Sequence, residues 1–87
     1  MTESDKHDWQ QIEHIQDEKG FKLSIEHSSL ERQFRVVVSH EQYPEKSLSE
    51  QFNATYEPIF GIDIADQQVA YEIAEELAQK LESKLQL

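Results

Sequence analysis

Apolar residues change their spacing once along this chain, between Tyr56 and Asp63, and that change sets the order of its elements. Downstream, Val69, Ala70, Ile73, Ala74, Leu77, Ala78, Leu81 and Leu85 recur every three or four residues. That spacing paints one stripe on an α-helix. No Gly or Pro interrupts residues 63–87. Asp63 is placed to cap the helix start, and Asp66 sits in the first turn, where negative charge favours the dipole. Lys80 and Lys84 lie near the opposite end, and Glu76 precedes Lys80 by four residues, the better order for a helical ion pair.

Upstream the period is two. Phe21, Leu23 and Ile25 alternate with Lys22, Ser24 and Glu26, and Phe34, Val36 and Val38 alternate with Arg35, Val37 and Ser39. Phe52, Ala54 and Tyr56 make a third alternating run, which Pro58 closes because proline cannot donate to a ladder. Each run reads as a half-buried strand. Residues 28–32 are short enough for a hairpin connection. Residues 41–51, polar and holding Pro44, read as a longer loop. At the N-terminal side, Trp9, Ile12 and Ile15 are three apart, as in a short helix. Asp17-Glu18-Lys19-Gly20, however, is a turn closed by a glycine, a hairpin signature. The hairpin reading is favoured, with Gln10–Gln16 paired to Phe21–His27.

The resulting expectation is an α+β fold: a three- or four-stranded antiparallel meander with one C-terminal helix packed on one face, ββββα, with αβββα as the alternative. Packing the helix stripe on the apolar sheet face is the simplest two-layer burial. The other sheet face is then wet, carrying Lys22, Ser24, Glu26, Arg35, Asn53 and Thr55, with Val37 the exception. Residues 1–87 read as a single small domain, with residues 1–8 flexible.

Charge narrows the choice of partners. The 18 Asp and Glu against 8 Lys and Arg give a formal net charge of -10. Residues 1–20 and 63–87 each carry six acids and two bases, and residues 21–62 carry six acids and four bases. There is no basic stripe of the kind that neutralises phosphates, so nucleic acid and anionic membranes are poor partners. The start is polar and acidic, unlike a signal peptide, and no apolar run approaches the ~20 residues of a spanning helix. A cytoplasmic location is expected. With no cysteine, the chain has no disulfide framework, thiolate cluster or cysteine nucleophile.

Nothing in the spacing of titratable residues assembles a catalytic, cofactor or metal site. Glu72 and Glu76 share a helix face that reads as solvated. His7, His14, His27 and His40 lack the tight spacing of zinc motifs, and His27 and His40 read as exposed histidines at opposite ends of paired strands. Ser39 and His40 are strand neighbours and point to opposite faces. Gly20 and Gly61 stand alone, so no phosphate cradle exists. Asn53-Ala54-Thr55 matches a glycosylation sequon, but it falls in a predicted strand. No enzyme activity and no cofactor are expected.

The most information-rich segment is Tyr56–Ile64. It joins strand to helix and is more apolar than a connection needs. One reading is a structural corner in which Ile59, Ile62 and Ile64 plug the core and Gly61 permits the turn. The other is an exposed patch that docks a partner through Tyr56, Ile59, Phe60 and Ile62, which Trp9 and Tyr43 extend.

An αβββα order ending in the pairs Val69-Ala70, Ile73-Ala74 and Leu77-Ala78 resembles, in architecture over residues 21–85, the double-stranded RNA-binding domain. That resemblance implies a sheet-and-helix RNA-binding module. The family presents lysines to phosphate at the start of the last helix; the corresponding positions here are Asp66, Gln67 and Gln68. The expected function is therefore a small acidic protein-interaction or regulatory domain without enzymatic activity. Its partner is expected to be another protein, and homodimerisation through an edge strand such as residues 52–57 is an option. Two alternatives are a nucleic-acid mimic that inhibits a DNA- or RNA-binding protein, and a nucleic-acid binder of the resembled fold, which the charge disfavours.

Overall fold

A computed structural model describes residues 8–86 of the chain. Four antiparallel strands form one sheet in the order β1-β2-β3-β4. They are β1 (Trp9–Gln16), β2 (Phe21–Ser28), β3 (Gln33–His40) and β4 (Tyr43–Asn53), followed by the helix α1 (Ile64–Leu85). This is the ββββα architecture. Because Trp9–Gln16 is a strand, the αβββα order, and with it the likeness to the double-stranded RNA-binding domain, does not hold.

The three-residue spacing of Trp9, Ile12 and Ile15 has a strand explanation. The β1–β2 register shifts between Gln11 and Glu13, so Ile12 sits in a bulge. An extra residue moves those that follow to the opposite face. Trp9 therefore lies on the outer face, where the Arg35 guanidinium sits 4.3 Å from its ring centre, while Ile12 packs against the core. The Asp17–Gly20 turn is as expected. The Asp17 carboxylate accepts from the backbone N–H of Lys19 and Phe21, both at 2.9 Å, and Gly20 has φ 95°.

The third strand is displaced from its expected place. It runs over Tyr43–Asn53, so most of the expected loop is strand, while Ala54 and Tyr56 lie beyond the strand's end and Pro58 closes nothing. The physical reason is its edge position. Register places Leu48, Glu50 and Phe52 opposite Val38, Val36 and Phe34, so an exposed glutamate interrupts the inner apolar alternation. Inward charges and prolines are common protections of sheet edges. Pro44 falls in the irregular stretch between the Val38–Leu48 and His40–Tyr43 pairs.

The core joins Ile25, Phe34, Val36 and Val38 of the sheet to Ala70, Leu77 and Leu81 of the helix, all buried. Asp63 caps α1 as expected, its carboxylate accepting from Ala65 N–H at 3.0 Å. The left-handed Gln86 ends the helix and returns its N–H to Glu82 and Ser83. Three expectations need correction. Val69 falls outside the buried stripe and is exposed. Glu76 and Lys80 do not pair; the ion pair found among the described residues is Arg35–Glu26, at 2.6 Å on the outer sheet face. Finally, one helix does not cover the whole apolar sheet face, because α1 lies over β3 and β4 and only grazes β2. Of residues 1–8, expected to be flexible, residues 1–7 lie outside the described residues. Asp8 is anchored: its carboxylate accepts from the buried Ser28 hydroxyl and from Leu30 N–H.

Candidate functional site

The connection from β4 to α1 is held at both ends and free in its middle. At the strand side, Ala54 N–H donates to the Arg32 carbonyl at 3.0 Å. The next two amides, Thr55 and Tyr56, donate to the carboxylate of Asp66 at 3.1–3.3 Å. Asp66 lies in the first helical turn and is only 1% exposed. A buried carboxylate is costly unless its oxygens are bonded. Here two backbone donors and the positive end of the helix dipole satisfy it. Asp66 thus does more than complement the dipole: it ties the helix start to the strand end. At the helix side, Ile62 packs against the core and Asp63 caps the helix.

Between these anchors the chain turns through Pro58 and through Gly61, at φ 118°. A side chain at Gly61 would meet nothing within 4 Å. Glu57 is tethered lightly, accepting from the Ser29 hydroxyl at 3.2 Å. The apolar residues of this stretch face solvent: Tyr56 is 62%, Ile59 77%, Phe60 102% and Ile64 71% exposed. Of the residues expected to plug the core, only Ile62 does so. Of the four candidate binding residues, Tyr56, Ile59 and Phe60 are exposed together and Ile62 is turned inward.

Neither expected extension joins them. Tyr43 lies at the opposite end of the sheet, its ring 5.8 Å from that of His40, and Trp9 is covered by Arg35. Ile64, by contrast, which the structural-corner reading assigned to the interior, adds an exposed apolar group. Its position outside the Ala70–Leu77–Leu81 stripe is the signal that could have found it.

The histidines differ from their expected exposure. His27 and His40 are both buried. His27 packs its ring 4.9 Å from that of Phe34. His40 meets Phe21 edge-on at 4.9 Å. Its Nδ1 accepts from Gln42 N–H at 3.2 Å, which leaves Nε2 to donate to the Lys19 carbonyl at 2.8 Å. His40 is therefore held as one tautomer by two backbone groups. His14 is exposed, and His7 lies outside the described residues. Among the described residues no group of three or more His, Asp or Glu is placed to hold a metal ion, and no helix is long and apolar enough to cross a membrane.

One hydroxyl is electrostatically distinctive. Tyr71 of α1 donates to the Glu13 carboxylate of β1 at 2.5 Å. That bond raises the phenol above its ordinary value near 10, with burial and the neighbouring negative charge adding and the Gln67 amide opposing. No family model, curated protein or solved structure matches this chain.

Proposed function

We propose that the protein is a non-enzymatic protein-interaction domain that docks a protein partner through the corner between β4 and α1. One observation carries the reading: Tyr56, Ile59 and Phe60 project from a segment whose two ends are fastened by Asp66 and Asp63. Solvent-exposed aromatic and aliphatic groups on a positioned connection are the makings of an interface anchor. The fold has no need of them, since Phe60 touches almost nothing in the domain. The overall acidity suits a partner whose own surface around the contact is basic.

The test separates docking from stability. Phe60→Asp and Ile59→Asp should each change unfolding free energy by no more than about 0.5 kcal/mol, as for surface positions without special contacts. The same variants, immobilised as full-length protein, should fail to retain from a source lysate the protein that wild type retains. Retention of that protein by both variants would reject the corner as the docking surface.

A further inference from the structure

A second surface lies on the inner sheet face. Adjacent strands are about 4.8 Å apart, so four strands present a face roughly two helix diameters wide. The single helix occupies the β3–β4 half. Over the end of β1 and β2 next to the Asp17–Gly20 turn this leaves an open groove of ≈ 490 Å³; toward the other end Ile25 and His27 of β2 are buried. Its floor and helix wall are Phe21, Leu23, Val38, Ala74 and Ala78, with Ile15 at the β1 margin. The two alanines keep the helix wall low, and Ile15 is 42% exposed although it points to the core side. Tyr71 lines the groove, and its hydrogen bond to Glu13 ties helix to β1 and bounds the groove at that end, the one side-chain hydrogen bond between these elements among the described residues.

The charges around the groove are all of one sign. Asp17, Glu72 and Glu75 line it, and no Lys or Arg does. We infer that this groove receives an amphipathic helix of another protein, with an apolar stripe flanked by Lys or Arg. A helix is the element that fits. The vacancy has the width of one helix, an added helix completes the two-layer burial that α1 leaves half made, and the bulge at Ile12 spoils β1 as a template for an added strand. The flanking charge follows from the acidic rim. A second copy of this chain would bring a surface of net charge -10 against that rim. Residues 1–7 offer one apolar side chain, Met1, and no stripe. This surface is separate from the 56–64 corner.

The probe is a synthetic 18-residue helical peptide with a leucine–alanine stripe and lysine flanks, titrated into the 87-residue protein and followed by amide and methyl NMR shifts. A control peptide keeps the stripe and carries glutamate flanks. Shifts should concentrate at Ile15, Leu23, Ala74 and Ala78, and the control peptide should bind at least about tenfold more weakly. Ala78→Phe, which fills the groove, should weaken the lysine peptide about tenfold or more. Ile15→Lys, a half-exposed change that spares the core, should do the same should Ala78→Phe not fold. Phe60→Asp should leave this binding unchanged, which keeps the outcome apart from that of the corner. Shifts spread over the whole acidic surface, equal binding of the two peptides, indifference to both groove variants, or concentration-dependent self-association that broadens the groove signals would each overturn the inference.

Discussion

The two ends of the sheet solve the same problem, reversing the chain, in opposite ways. At one end the Asp17–Gly20 turn and the β3–β4 turn are clipped together. Glu41 N–H donates to the Gly20 carbonyl at 2.9 Å, the Gln16 side chain donates to Glu41, and His40 donates to the Lys19 carbonyl. Gly20 is buried, and a Cβ there would lie 2.9–3.1 Å from Glu41 and His40 atoms. At the other end Gly61 turns in open space and the neighbouring apolar groups face solvent. The first end places its polar atoms inside and satisfies them. The second end places apolar surface outside. A domain that needed only to fold would gain nothing from the second arrangement, and the contrast is what supports the recognition role proposed for that end.

The sharpest way to break this comparison is to treat both glycines alike. Gly20→Ala should lower unfolding free energy by about 2–3 kcal/mol, from its positive φ and from crowding against Glu41 and His40. Gly61→Ala should cost only about 1 kcal/mol, since only the backbone conformation opposes it. Equal losses in denaturant melts would erase the distinction between the ends. Next in size, Asp66→Ala should cost about 1–3 kcal/mol by leaving the Thr55 and Tyr56 amides without their acceptor. It should also weaken partner capture without touching Phe60, because the strand-side anchor of the corner is gone. Stability lost with capture intact would make Asp66 a fold residue only.

The smallest effect concerns the link between α1 and β1. The folded state raises the Tyr71 phenol, so the Glu13 contact contributes fully below the unfolded value near 10 and is lost as pH rises through the higher folded value. In an absorbance titration of phenolate formation, Tyr71→Phe should remove a phenol that ionises above its ordinary value near 10. Removal of a phenol that ionises at or below that value would contradict the contact.

Much of the scaffold was legible in the residue order. Phe34, Val36 and Val38 alternate because β3 is an interior strand with one face on the helix. Asp17 to Gly20 carries its turn chemistry in sequence, and Asp63 stands where a cap belongs. Strand β4 was not legible, because an edge strand with Glu50 on its inner side has only Leu48 and Phe52 as an apolar signal. Burial of His40 was hidden for another reason: its partners are a backbone carbonyl and a backbone amide, which no residue type reveals. Asp66 shows the same limit, since its second role depends on two amides that lie ten and eleven residues away. At the corner, residue types singled out the 56–64 segment as more apolar than a connection needs, but only the fold could separate the inward Ile62 from the outward Ile59 and Phe60. The groove came from a property no local pattern encodes, the sideways placement of one helix on a sheet wide enough for two.

The most direct test of a recognition end opposite a structural end is amide hydrogen exchange of the whole protein, alone and with its captured partner. The account predicts that the partner adds protection to the described amides of residues 56–62 and leaves residues 17–20 and 41–42 unchanged. Added protection at the Gly20 end, with none at the corner, would contradict it.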